Sequence, residues 1–223
     1  MFTIHEMPPQ LDPKLIELLE RAETGTVGHF FHSGFVDRGI AAILPEARVA
    51  GTAVTVRTPH ADSTIIHYVT KLIRPGDFLV VERCGDLRHA CFGGAVGHAM
   101  KIAGLKGAAI DGPSTDINEL KLIGLPVWCR GPSSITTKLM GLDGAVNVPV
   151  TVGGQVIRPG DAILADESGV IVLDPQQAEA IAREAIADQE DEQLLLQRLR
   201  NGEYLPDITG ATALVEKNLR KGA

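Results

Sequence analysis

Residues 91–116 read CFGGAVGHAMKIAGLKGAAIDGPSTD. The stretch holds a glycine pair, a run of small residues, a short apolar strand and a turn dense in hydrogen-bonding groups. Gly93, Gly94, Ala95, Gly97 and Ala99 leave little side-chain bulk near the start of the helix expected over 93–103. Backbone N–H groups at such a start are accessible, and a helix N-terminus favours a carboxylate or phosphate. The same small residues also suit close helix–sheet packing. Gly107–Ile110 (GAAI) is the following strand, and it runs straight into Asp111-Gly112-Pro113-Ser114-Thr115-Asp116. Asp116 with Glu119 at N3 fits a capping box in which Asp is the cap. It also fits a carboxylate ligand to a hard cation such as Mg²⁺. Local sequence favours the cap.

The N-terminal flank repeats the alternation of strand and helix. Residues 47–58 (ARVAGTAVTVRT) alternate small or apolar with polar and β-branched residues, the pattern of a strand. Residues 61–73 read as a helix with Ile65, Ile66, Val69, Leu72 and Ile73 on one side. Pro75-Gly76-Asp77 is a turn, and Phe78–Val81 a buried strand that ends in the loop Cys84-Gly85-Asp86-Leu87. Ligands of α/β sheets gather at the carboxyl ends of strands, so Asp86 and Arg88 are candidates there; a solvated loop pair is the plainer alternative. Farther out, Asp12–Ala22 is a first helix with Asp12 as cap and Pro13 in its first turn. His29 and His32 are spaced to share a metal on a helix, but no third ligand is near, which favours solvated or core histidines.

On the C-terminal side, residues 125–129 (LPVWC) form a strand leading to Arg130. Residues 146–158 then carry a hairpin signal at Gly153-Gly154, and 162–165 and 169–173 are short strands around Asp166-Glu167-Ser168. Residues 175–201 are a long polar helix, in one piece or two, with Glu184, Asp188, Glu190, Asp191 and Glu192 in its middle. Such a charge run is ordinarily a solvated face; a helix this polar also suits a reach across to a neighbouring subunit. Residues 204–223 hold no clear motif.

Composition narrows the function class. The net charge is −7 and no basic run appears, so nucleic-acid binding is not expected. The three cysteines have no zinc-knuckle or CxxC spacing and read as reduced core thiols. The first residues lack a signal-peptide pattern and no apolar run approaches the ~20 residues of a membrane helix, so a cytoplasmic location is expected. There is no P-loop, no Gly-x-Ser-x-Gly elbow and no dinucleotide fingerprint with its acidic partner.

The order of motifs resembles the RraA-like family, which includes the metal-dependent 4-hydroxy-4-methyl-2-oxoglutarate aldolases, also called 4-carboxy-4-hydroxy-2-oxoadipate aldolases. The resemblance spans roughly residues 12–203 and rests on VAGTAVTV at 49–56, RPGDFLVVE at 74–82, residues 92–116, GLPVWCRG at 124–131 and residues 146–173. It implies one α/β domain over 1–223, a β/β/α sandwich of the swivelling, phosphohistidine-domain type with a core over about 12–175 and a C-terminal helical extension. It also implies a trimer or hexamer with active sites between subunits, a 2-keto acid substrate and Mg²⁺ or Mn²⁺ as cofactor.

Residue by residue, the resemblance makes Asp116 the metal ligand and Gly93, Gly94, Ala95 and Val96 the loop whose amides hold the substrate carboxylate. Asp111 and Gly112 match the start of the turn, and Glu192 best matches a metal-binding Glu from the neighbouring subunit. Two positions depart from the family pattern. Thr115 stands where the family aldolase has an Arg that stabilises the enolate, and Gly94 stands where it has an acid. By analogy with removal of an oxyanion donor, loss of that Arg costs ~3–4 kcal/mol of transition-state stabilisation. Arg88 and Arg130 are candidates to replace its charge, and Asp86 or a metal-bound water to act as general base. The resemblance therefore implies a divalent-metal-dependent lyase that releases pyruvate from a 2-keto acid, with oxaloacetate decarboxylation as a related reaction. The two departures keep open a non-catalytic protein-binding regulator and a metal enzyme acting on a different small acid.

Overall fold

The computed structural model describes residues 1–219. In chain order, β1 (Phe2–Ile4), α1 (Pro13–Leu19), α2 (Thr24–Phe30) and β2 (Ala41–Ala42) lead to the central alternation. That alternation is β3 (Val49–Arg57), α3 (Thr64–Val69), β4 (Asp77–Glu82), α4 (Gly94–Ile102), β5 (Gly107–Ile110), α5 (Ile117–Leu122) and β6 (Val127–Cys129). Five short strands follow: β7 (Gly144–Val146), β8 (Val150–Val152), β9 (Gln155–Ile157), β10 (Ala162–Ala165) and β11 (Val170–Leu173). Helices α6 (Pro175–Arg200), α7 (Leu205–Ile208) and α8 (Ala211–Asn218) come last.

Strands β3, β4, β5 and β6 are parallel neighbours in that order. β10 pairs antiparallel with the first part of β3, and β7 with its far end. Side chains alternate across this sheet with the period of two that a pleated strand requires. Val54, Leu79 and Val81 face α3, α4 and α5, in one cluster with Ile66, Met100 and Leu120. Ala53, Phe78 and Val80 face the other way, onto Trp128 and onto Val150, Val152 and Ile157 of the β8–β9 hairpin. A third cluster joins α1, α2 and the first half of α6 to β10 and β11. The result is a β/β/α sandwich with a C-terminal helical extension. Covered on both faces, the parallel strands are near-continuous apolar runs.

Local devices hold the pieces in register. The Asp12 and Asp174 carboxylates cap α1 and α6 alike, each accepting at 2.8 Å from the N–H two residues on, with proline between. Gly153 and Gly154, at φ 51° and 79°, make the two-residue turn that joins β8 to β9. Gly97 lets α4 meet α5: a Cβ there would lie 2.5 Å from Leu120 Cδ2.

Several sequence expectations change. The helix expected over 61–73 is regular only over α3, because its last residues tighten into the turn before Pro75. The long polar helix is one piece of 26 residues, buried only at Ala178, Ile181, Ala182 and Ala185. Two further helices, α7 and α8, occupy part of the segment read as motif-free; its last residues, 220–223, lie outside the described residues. Cys84 is exposed, not in the core, whereas Cys91 and Cys129 are buried. β1 and β2 had no signal of their own, being short strands held by pairing with β7 and β6. Among the described residues no helix is long and apolar enough to cross a membrane.

Candidate active site

The carboxyl ends of β4 and β5 open into two loops, residues 83–93 and 111–116, that lie side by side. Thr115 N–H and the buried Ser114 hydroxyl both donate to the Phe92 carbonyl, at 2.9 and 2.8 Å. This tie brings Asp116 against the start of α4. Asp116 Oδ2 accepts from the Gly94 N–H at 2.9 Å. Its other oxygen has only a long contact, 3.4 Å, with the Thr115 hydroxyl.

Asp116 occupies the cap position of α5, yet its side chain makes no capping bond and its backbone is left-handed, at φ 52°, ψ 41°. The capping box does not form: Glu119 Oε1 instead meets His98 Nε2 at 2.6 Å. A non-glycine residue in this region costs about 1–2 kcal/mol, less for Asp than for most. Asp116 is thus turned away from the helix it heads and toward the glycine loop.

The loop is built to receive it. A Cβ on Gly93 would fall 2.5 Å from Thr115 Cγ2 and 2.8 Å from Asp116 Oδ2. A Cβ on Gly94 would lie 3.1 Å from Glu119 Cγ, so the α5 side chain fills the space an acid at this position would enter. Gly94 N–H is taken by Asp116, but Ala95 and Val96 N–H have no acceptor among the described residues. Two free donors at a helix N-terminus, beside a carboxylate oxygen with little engagement, face one cavity of about 140 Å³. Ser63 and His67 of the α3 segment, and Thr136 and Thr137, complete the lining. Cys91 also lines the cavity, and burial pushes its thiol up to about 11.

Gly93, Gly94, Ala95, Val96, Thr115 and Asp116 therefore share this cavity, and the other sequence candidates do not. Asp86 is committed elsewhere. It accepts from the Arg88 and His89 N–H groups, from His89 Nδ1 and from Arg83 Nη2. Burial alone would raise its pKa; these donors outweigh burial and hold it below the usual carboxylate range. It organises the loop and has no free oxygen for a general base. Arg88 is exposed and lines no part of the cavity. Arg130 Nε donates to Asp111, and its Nη1 to Asp37 at 2.9 Å. The second Asp111 oxygen accepts from Gly153 N–H at 2.8 Å, so this pair clamps the β8–β9 turn to the end of β5. Neither arginine replaces the charge absent at Thr115. Glu192 lies on the exposed half of α6, in a separate cleft with His29, Asp188 and Asp191. His32 falls beyond the end of α2, apart from His29.

Sequence reading missed Ser63, His67, Thr136 and Thr137. His67 was visible only as one polar residue in an apolar helix pattern, and the threonines lie in a loop without periodicity. It also missed the anchor beneath the site. Arg83, fully buried, donates to the carbonyls of Thr58 and His60 and to Asp86, at 2.6, 2.9 and 2.9 Å.

Comparisons with known proteins agree with this fold. Residues 19–172 match the family model RraA-like (Aldolase/RraA). A relative from Halalkalibacterium halodurans, named "Putative 4-hydroxy-4-methyl-2-oxoglutarate aldolase", is 34% identical over 146 residues, 66% of this chain and 69% of its own. An uncharacterised protein of Methanocaldococcus jannaschii is 30% identical over 174 residues, 76% of this chain and 82% of its own. Among solved structures, Streptomyces coelicolor RraAS2, described as an unusual member of the RNase ES inhibitor RraA protein family, superposes with TM-score 0.75 at 26% identity. That superposition covers 84% of this chain and 99% of the other. The chain belongs to the RraA-like family.

Proposed function

We propose that the chain is a divalent-metal-dependent lyase that cleaves a C–C bond of a 2-keto acid and releases pyruvate, by aldol cleavage or by decarboxylation of oxaloacetate. The observation that carries this reading is the pose of Asp116: left-handed, not capping its own helix, one oxygen fixed by Gly94 N–H and the other with only a long contact, on the wall of a cavity that Ala95 and Val96 also line.

The donor set suits a hard, largely hydrated cation. Among the described residues no group of three His, Cys, Asp or Glu side chains is placed to hold a metal by itself. Mg²⁺ commonly takes only one or two carboxylates and keeps several waters. Asp116 supplies one carboxylate, and by the family resemblance Glu192 of a second copy of the chain supplies another, in a trimer or hexamer. When bound, Mg²⁺ or Mn²⁺ supplies Lewis acidity at the keto oxygen, the electron sink of the cleavage. Ala95 and Val96 N–H groups hold the substrate carboxylate at the positive end of α4 and orient the scissile bond. Gly94 N–H fixes the Asp116 carboxylate so that it need not reorganise.

One observation favours a second reading. Among the described residues no guanidinium lines the cavity, and Thr115 is part of its wall. That suits a metal enzyme for a different small acid, or a regulator that binds protein without turnover. Pyruvate release from oxaloacetate and from 4-hydroxy-4-methyl-2-oxoglutarate, with and without Mg²⁺, separates them. Metal-dependent release abolished in Asp116→Ala supports the lyase. No release, with no Mg²⁺ binding by calorimetry, refutes it.

A further inference from the structure

We propose that His67 is the proton donor of this cavity, the side chain that protonates the pyruvate enolate. This rests on the lyase reading and deepens it. His67 lines the same cavity as Asp116 and the free Ala95 and Val96 donors. Its imidazole is exposed, and among the described residues neither ring nitrogen has a partner.

The backbone beneath it is fixed. His67 N–H donates to the Ser63 carbonyl at 3.0 Å, and Ser63 N–H donates to the Lys138 carbonyl at 2.9 Å. The fully buried Asp62 carboxylate accepts from the Thr64 N–H and hydroxyl and from the N–H groups of Met140 and Leu142. A free ring on a clamped helix start is the arrangement a proton carrier needs.

The remaining lining groups do not compete. The hydroxyls of Ser63, Thr115, Thr136 and Thr137 do not ionise near neutrality. Cys91 is buried and its thiol is pushed up. Asp116 is the one carboxylate among the described residues of the cavity wall. Beyond the wall, Lys71 of the following turn is held over the Tyr68 ring at 3.9 Å, and Asp62 and Lys138 belong to the segments tied to the start of α3.

In oxaloacetate the C3–C4 bond breaks, CO₂ leaves, and the electron pair moves through C2 to the keto oxygen. The enolate then takes the ring N–H proton of His67 at C3, and the ring recovers a proton from solvent. One proton is consumed per pyruvate formed.

The test uses the full chain with Mg²⁺ and oxaloacetate. His67→Gln is expected to lower kcat about 100-fold, within the span of general-acid effects, with KM changed less than about threefold. Its kcat–pH profile should differ in shape from that of wild type, and added imidazole should restore part of the rate. His67→Asn should behave alike. A readout that needs no turnover is the His67 ring resonance, assigned by its loss in His67→Gln and expected to shift when oxalate and Mg²⁺ are added. If wild type turns over while His67→Gln keeps kcat within about twofold and oxalate leaves the ring signal unmoved, His67 is not the donor and the lyase reading stands. If wild type releases no pyruvate, the lyase reading fails and this role fails with it.

Discussion

Replacing Gly93 by alanine adds one methyl group where the structure has no room for it. Gly93 sits at φ −160°, ψ −161°, extended backbone that alanine adopts freely, so the whole effect is steric. The new Cβ meets Thr115 Cγ2 at 2.5 Å and Asp116 Oδ2 at 2.8 Å, and both must move. Overpacking of this kind costs ~1–3 kcal/mol, and the stiffer unfolded chain of alanine returns ~0.4–1 kcal/mol. A net loss of about 1–2 kcal/mol lowers Tm by roughly 2–8 °C for a chain of this length. Displacing Oδ2 also breaks its bond from Gly94 N–H and moves the carboxylate, so Mn²⁺ affinity should fall at least about tenfold, equivalent to ~1.4 kcal/mol. Gly94→Ala is the control. Its Cβ meets the half-exposed Glu119 Cγ at 3.1 Å and Asp116 Oδ2 at 3.4 Å, contacts that a small side-chain shift relieves. The pair is read by thermal unfolding and by calorimetric titration with Mn²⁺. If Gly93→Ala is as stable as wild type and binds Mn²⁺ equally well, Asp116 does not lean on the glycine loop and the site is drawn wrongly.

Further consequences follow from neighbouring groups. Arg83→Ala leaves the Thr58 and His60 carbonyls and part of Asp86 without their buried donor, and should destabilise by about 3–5 kcal/mol in urea unfolding; a loss under ~1 kcal/mol would contradict its anchoring role. Burial would raise the pKa of Asp62, but the donors from Thr64, Leu142 and Met140 outweigh it and hold it far below the usual range. Its stabilising contribution is therefore present above the unfolded pKa of about 3.9 and is lost as pH falls below that value. Asp62→Asn should be less stable at neutral pH and should lose less stability than wild type on acidification below about pH 4; parallel curves would refute this. Thr115→Arg puts a cation on the cavity wall and should raise pyruvate release about tenfold or more, and unchanged release would favour a different acid as substrate.

The layered fold was largely legible because its signals are local. The apolar runs of β3, β4 and β5, the glycine pair at 153–154 and the Asp-Pro starts of α1 and α6 each specify their own structure. The cap reading of Asp116 was the instructive failure. Aspartate with glutamate three residues on has the form of a capping box, and nothing local reveals that Gly94, 22 residues earlier, would claim one carboxylate oxygen. Asp86 and Arg130 failed in the opposite direction. Each stands at a strand end, where ligands gather, but other partners engage them: Asp86 is taken up locally by Arg83, Arg88 and His89, and Arg130 by Asp111 and Asp37 from distant parts of the chain. His67 and the threonine wall were invisible for the same reason, since a cavity is made by elements that the sequence does not place side by side.

The account stands on Asp116 holding a metal beside the free amides of α4. The most direct measurement is a crystal structure of the full chain with Mn²⁺ and oxalate, the metal located by its anomalous scattering. The account predicts an anomalous peak in contact with the free Asp116 oxygen, an oxalate carboxylate on the N–H groups of Ala95 and Val96, and Glu192 of a second copy directed at the metal. Anomalous density elsewhere, or none, with oxalate away from α4, would contradict it.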